Sequence, residues 1–287
     1  MLQRARATVH LRPARAADLP EVVRTLTLAF GEPLRGDTWD WILASNAGAI
    51  FVAERRRSIV GTGAGLLFGS TGWIGGLGVE PGSRRRGVAS QLTTRVVDWL
   101  REHGAQTLLL QATAQGRPVY EGLGFVAEGG YRMWSVPPAR RPRKRWGTHT
   151  AGAYELRALR ADDLEAVLAL DRAVSGEDRA LAIRAAWASG GVAVDVGGQL
   201  RGYHLDTPWG PGPTLAADRE AGLLLLETAQ RPDESVRVGV PEANALAVDA
   251  MADRGFDEVA GTERMRLGPA VPWRPDLVFG VFNPFWG

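Results

Sequence analysis

The pattern Arg12-x-x-Arg15-x-x-Asp18-Leu19-x-x-Val22 returns as Arg157-x-x-Arg160-x-x-Asp163-Leu164-x-x-Val167, 145 residues later (157 minus 12). Farther along, Gly124-Phe125 is answered by Gly255-Phe256 at 131 (255 minus 124), and Arg132-Met133 by Arg264-Met265 at 132 (264 minus 132). An ordered series of matches with shrinking offset is what two diverged copies of one domain leave once loops have shortened. The second half must therefore build nearly what the first half builds. Length agrees, because 287 residues suit two domains of about 140 better than one. We place the first copy at 1–137, a basic linker at 138–153 and the second copy, ending in an aromatic tail, at 154–287.

Within the first copy the apolar period switches between two and 3.6 residues. Val9–Arg12 reads as a strand, and Asp18 caps a helix near Glu21–Ala29 with Pro20 in its first turn. A second helix lies near Trp39–Ser45. Ile50–Glu54 and Ser58–Leu67 form a hairpin across Arg55-Arg56-Arg57. Trp73–Val79 is a buried strand, and Val88, Leu92, Val96 and Leu100 mark the helix after it. Thr107–Leu110 is a strand and Gly116–Leu123 a helix, with Phe125–Glu128 and Tyr131–Trp134 as two closing strands. Gly61, Gly63 and Gly65 do not make a dinucleotide fingerprint, since position 66 is Leu and no helix pattern follows.

Composition removes several function classes. With 45% hydrophobic and 23% charged residues the chain is globular, neither disordered nor membrane-like. It has no Cys, hence no disulfide, thiol nucleophile or Cys-ligated metal, and His10, His103, His149 and His204 are scattered singly, so no metal site is expected. No apolar run is long enough to span a bilayer and no signal-peptide core follows Met1–His10, which predicts a cytoplasmic protein without membrane partners. Arg140, Arg141, Arg143, Lys144 and Arg145 cluster in a Pro-containing stretch with only Trp146 as aromatic neighbour; this reads as a solvated linker and not as a nucleic-acid surface.

The stretch Val79-Glu80-Pro81-Gly82-Ser83-Arg84-Arg85-Arg86-Gly87-Val88-Ala89 ends a strand and opens a helix. The first N–H groups of a helix lack intrahelical partners and sit at its positive end, where they bind anions. Gly87 and Ala89 keep bulk away from that end, and Gly87 can adopt dihedrals closed to other residues. The chemistry is that of a pyrophosphate cradle.

The spacing Arg84-x-x-Gly87-x-Ala89 after Val79-x-Pro81 resembles the acyl-CoA motif of the GNAT superfamily of N-acyltransferases, and Tyr120-x-x-x-Gly124-Phe125 stands where that superfamily carries a Tyr before a Gly-Phe pair. The resemblance covers nearly the whole chain and looks like a tandem bacterial subgroup with an active first copy. It implies an α/β (α+β) fold: two GNAT-like domains, each a mixed, mostly antiparallel twisted sheet flanked by helices. It further implies acetyl-CoA as cosubstrate, with the backbone of Leu77, Gly78 and Val79 along the pantetheine and Arg84, Arg85, Arg86, Gly87, Val88 and Ala89 at the pyrophosphate. The partner would be a small-molecule or peptide amine, with a homodimer left open.

In such a reaction a neutral amine attacks the thioester and CoA leaves as a thiolate that needs a proton. Tyr120, with a phenol pKa near 10, is the expected acid. Trp73–Val79 holds no carboxylate, so the base is unassigned; Glu32, Asp37, Asp40 and a bound water are the alternatives. The segment Phe30–Asp37 resembles the superfamily's acceptor-lining segment. The competing reading is a non-catalytic acyl-CoA-binding or scaffolding protein, favoured by the missing carboxylate and by Thr113 where the superfamily often has Asn.

The second copy reads as inactive. At an offset of 135, Ser83, Arg85 and Arg86 become Asp218, Glu220 and Ala221, Leu224 faces Ala89, and Met251 stands near the place of Tyr120. The tail carries Trp273, Phe279, Phe282, Phe285 and Trp286, too much apolar area to leave in water. It must dock on the first copy's acceptor pocket, in a seam between copies or in a dimer interface.

Overall fold

A computed structural model describes residues 9–34, 36–136, 150–228 and 236–287. The basic cluster Arg140–Arg145 lies outside them. Packing divides the chain into two compact units, neither of which is continuous in sequence. The first comprises Met1–Leu110, Gln115–Val126 and Arg266–Pro269; the second takes Gln111–Ala114, Ala127–Met265 and Ala270–Gly287.

The first unit contains β1 (His10–Pro13), α1 (Leu19–Phe30), α2 (Asp37–Ala44), β2 (Gly48–Arg55), β3 (Ser58–Phe68), β4 (Thr71–Val79), α3 (Val88–Glu102), most of β5 (Thr107–Ala112) and α4 (Arg117–Glu121). Its strands lie in the order β1-β2-β3-β4-β5. Neighbours are antiparallel except β4 and β5, which run parallel with Thr71–Ile74 opposite Thr107–Leu110. Arg56 and Arg57 turn the β2–β3 hairpin with φ of 51° and 66°, a two-residue left-handed turn usually given to Asn or Gly.

Glycines in β3 set the packing. A Cβ on Gly61 would lie 3.0 Å from Leu92, on Gly63 3.5 Å from Val96, and on Gly65 3.1 Å from Val96 and Leu100. Each strand glycine destabilises by about 0.5–1 kcal/mol. Close approach of α3 buries Leu92, Val96 and Leu100 completely, at about 1.5–3 kcal/mol each, so packing prevails. On β4, Gly78 seats α1 in the same way, its Cβ position lying 2.9 Å from both Leu26 and Ala29.

The second unit holds β6 (Val126–Val136), β7 (Thr150–Ala151), β8 (Tyr154–Ala158), α5 (Leu164–Ser175), α6 (Ala180–Ala186), β9 (Gly191–Val196), β10 (Gln199–Leu205), β11 (Thr214–Ala216), α7 (Arg219–Thr228), β12 (Val236–Pro241), α8 (Ala245–Asp253), most of β13 (Asp257–Leu267) and β14 (Val278–Gly280). One set of strands runs β7-β8-β9-β10-β11-β14, and β13, β6 and β12 lie side by side in another. The order β8-β9-β10-β11 repeats β1-β2-β3-β4.

Two local expectations change. Residues 125–134 do not form two strands: β6 is one strand, because Gly129-Gly130 is no turn. A Cβ on Gly130 would fall 2.4 Å from the Glu242 carboxyl carbon, so glycine makes room for that side chain. Asp18 stands at the N-cap position of α1, yet its side chain caps nothing there. It takes two bonds from the Arg12 guanidinium, at 2.7 and 2.9 Å, and one from the Arg15 N–H at 2.7 Å, while Arg12 also reaches Glu54 at 2.9 Å. The second unit repeats the device with Arg157, Asp163, the Arg160 N–H and Asp195. The recurrent Arg/Asp pattern is thus an ionic staple from first strand to first helix.

Candidate active site

Strand β4 outlasts its pairing with β5. The parallel register ends at Ile74 opposite Leu110, whereas β4 continues to Val79 with, among the described residues, only β3 paired to it. At the same point β4 bulges: Gly78 faces Thr62 and Gly75 faces Ala64, leaving Gly76 and Leu77 against Gly63 alone. Gly76 has φ of 55°, accepts a bond from the Thr62 hydroxyl at 2.9 Å, and lies under Trp39 of α2, whose ring is 2.5 Å from where a Cβ would be. Only glycine fits. The edge of β4 beyond Ile74, half-buried Leu77 included, thereby has no β5 partner among the described residues. A Gly-Gly pair inside an apolar strand is the sequence signal for such a bulge.

The cradle follows as a short turn and a loop. Ser83 is fully buried and donates to Glu80 at 3.0 Å, and the Glu80 N–H bonds Val60 O at 3.0 Å. Arg84 does not aim its side chain at the helix end. Its guanidinium donates to Val79 O at 3.0 Å and to Ala29 O at 2.7 Å, clamping the end of β4 to the last turn of α1. Arg85, at φ of 57°, and Arg86 are exposed, and neither guanidinium has a partner among the described residues. Gly87 takes φ of 78° as N-cap of α3, with no heavy atom nearer than 3.8 Å to its Cβ position. Val88 sends its side chain into the core and Ala89 is half-buried, so backbone N–H groups remain at the surface. No side chain caps α3 and no acid occupies its first turn. Among the described residues nothing negative therefore offsets its positive end.

Tyr120 sits on α4, its ring edge-on to Phe125 at 6.0 Å between centroids. It is 7% exposed, and burial pushes its phenol pKa up. Its hydroxyl makes no hydrogen bond among the described residues, which leaves that proton available. Gly124, at φ of 88°, lets the chain turn back so that Phe125 N–H bonds Tyr120 O at 3.1 Å. Because β4 and β5 are parallel, α3 and α4 both begin at the C-terminal edge of the first unit's sheet, the usual ligand edge of such strands. No hydrogen bond or ring contact joins Tyr120 to the cradle. Of the acids considered as base, Glu32 is half-buried while Asp37 and Asp40 are exposed. Among the described residues no three His, Asp or Glu side chains gather as metal donors would, and no helix is long and apolar enough to cross a membrane.

The helix starts also revise the second copy's alignment. Asp218 accepts from the Ala221 N–H at 2.9 Å at the start of α7, which puts it opposite Gly87 at an offset of 131 (218 minus 87) and not 135. Between strand and cap the first unit has residues 80–86; the second has Ala217 alone. The cradle loop is missing.

Sequence models of the acetyltransferase (GNAT) family and of the acetyltransferase (GNAT) domain match residues 19–125 and 167–280. The chain belongs to the GNAT acetyltransferase family and carries two of its domains in tandem. It is 27% identical over 199 residues to the uncharacterized N-acetyltransferase YitH of Bacillus subtilis, covering 67% of this chain and 68% of YitH. A proposed acetyltransferase from Pyrococcus horikoshii shares the fold at a TM-score of 0.82 and 21% identity, with 97% of this chain and 96% of that one covered. A tandem GNAT protein from the clavulanic acid biosynthesis pathway does so at 0.62 and 18%, covering 92% and 100%.

Proposed function

We propose that the first unit is an acetyl-CoA-dependent N-acetyltransferase that moves the acetyl group to a primary amine by direct attack in a ternary complex. The observation that carries this is the coincidence at one sheet edge of a β4 segment without a β5 partner and an uncapped, acid-free start of α3. In this reading the backbone of Leu77 to Val79 takes the pantetheine amides and can donate to the thioester oxygen. The N–H groups from Arg85 to Ala89 hold the pyrophosphate, Arg85 and Arg86 add mobile charge, and Arg84 holds the loop from behind. Tyr120 gives its proton to the departing thiolate. A raised pKa keeps it protonated throughout the neutral range.

Acetyl-CoA titrated calorimetrically into the full chain tests the reading. One site per chain, lost in Gly87→Glu, is expected; that variant places a bulky carboxylate where the phosphates would lie, at a left-handed φ. Two sites would show that the second unit binds acetyl-CoA as well, and binding untouched by Gly87→Glu would remove the cradle from the first unit. Binding without turnover on any amine supports the scaffolding alternative.

A further inference from the structure

The aromatic tail lies inside the second unit's own fold. Strand β14 pairs antiparallel with β11, Thr214 opposite Gly280 and Leu215 opposite Val278. Its other side is held by the next strand and helix: the Val281 N–H bonds Gly239 O of β12 at 2.9 Å, and Asn244 at the start of α8 donates to Val278 O at 2.9 Å. A Cβ on Gly239 would lie 2.7 Å from Val281, so the fit excludes any larger residue. By strand order β11 and β12 are the counterparts of β4 and β5. Residues 278–281 therefore lie, in the second unit, between the counterparts of two strands that in the first unit pair with each other only as far as Ile74 and Leu110.

The filling is close. Phe279 is fully buried, and its ring occupies the space a Cβ of Gly222 would need in the first turn of α7. Near it, against Thr214 of β11, lies a void of about 10 Å³ lined also by His204, Leu226, Val238 and Met251. Anchors hold the segment beyond β14. Buried Asn283 donates to Trp209 O at 2.8 Å, and Arg179, paired with Asp171 at 2.6 Å, donates to Gly287 O at 3.0 Å with its guanidinium 5.2 Å over Phe282.

We propose that residues 277–283 are a built-in ligand of the second unit: its cleft has become a receptor for an extended aromatic peptide strand, occupied by the chain's own tail in place of a thioester cofactor. The comparison with a cofactor rests on the reading of the first unit; the peptide slot does not. Main-chain pairing supplies the adhesion and Phe279 the selectivity.

The test uses the full chain with a protease site introduced at Ala270–Val271, cleaved after folding. The tail should stay bound through gel filtration, and a fluorescent synthetic peptide of residues 272–287 should exchange into its place. The same peptide carrying Phe279→Ala should compete at least about 100-fold less well, as expected for emptying a buried phenylalanine site. Millimolar acetyl-CoA should neither displace the peptide nor raise the stoichiometry above one. Loss of the tail on cleavage with unchanged amide exchange in β11, or displacement by acetyl-CoA, would overturn the proposal. If acetyl-CoA binds nowhere while the tail is retained, the enzymatic reading fails and the peptide slot stands.

Discussion

From strand to helix the first unit inserts residues 80–86 between Val79 and Gly87, whereas the second passes from Ala216 to Asp218 through Ala217 alone. The first leaves its helix start uncapped and without acids; the second caps it with Asp218 and adds Glu220. Yet both keep the strand order and the same Arg–Asp staple, Arg12 with Asp18 and Arg157 with Asp163. Elements that hold the fold and elements that hold a ligand are thus separable. On the proposed reading the short loop carries ligand binding; the second unit, which lacks it, keeps the strand order and staple and places a strand of its own tail beside β11.

The comparison can be broken most decisively at Tyr120, whose counterpart region in the second unit presents Met251. Tyr120→Phe should lower turnover by about 100- to 10,000-fold, followed by release of free CoA thiol, with acetyl-CoA affinity within about twofold. An unchanged kcat would leave the first unit with no assigned acid. Next comes the tail's anchor: Arg179→Ala leaves the buried Asp171 carboxylate without its cationic partner, with only the Tyr203 and Ser175 hydroxyls donating to it, and denaturant unfolding should show a loss of about 3–5 kcal/mol. Hydrogen exchange should locate that loss in α5, β10 and β14; equal loss in β3 and β4 would deny the units their independence.

The staples offer a smaller, pH-dependent contrast. Hydrogen bonding to Arg12 holds the Asp18 carboxyl down to about 2, from 3.8, and Arg157 lowers Asp163 likewise. A depressed carboxylate stabilises the fold above its unfolded pKa and loses that contribution as pH falls through the folded one. Asp18→Asn should therefore lower stability by roughly 1–2 kcal/mol at pH 7 and flatten its decline between about pH 4 and 2. Acid titration of unfolding in both proteins measures this, and a slope unaltered by the substitution would remove the staple from the acid response. Smallest of all, Arg85→Ala and Arg86→Ala should each weaken acetyl-CoA by about 1.5- to 5-fold, an effect shrinking with added salt, since these guanidinia are solvated. The equivalent charge change in the second unit, Glu220→Gln, should alter nothing in the titration.

The sequence made the first unit largely legible because its elements carry period and punctuation. The hairpin across Arg56-Arg57, α3 with its leucines and valines, and Gly87 at a left-handed φ all follow from local rules. What it hid depends on partners distant along the chain. Arg84 looked like a phosphate ligand, but Ala29 O, 55 residues away (84 minus 29), claims its guanidinium. Gly129-Gly130 separates the two expected strands, but Glu242 takes the space beside Gly130 and one strand runs through. Offset counting slid the second copy by one helical turn, because sequence spacing cannot say that seven residues were deleted to one. The tail's aromatics required burial, yet nothing local to them names β11 and β12 as their hosts.

Residues 266–269 pack in the first unit, where Thr107 donates to Pro269 O at 2.8 Å. During synthesis that unit is otherwise present once Val126 has emerged, yet its last piece begins 140 residues later (266 minus 126). At about 5–20 residues per second the ribosome imposes a wait of roughly 7–28 s. For that interval the nascent first unit carries an incomplete edge, so its exposure to chaperones and to neighbouring chains is set by the rate of translation.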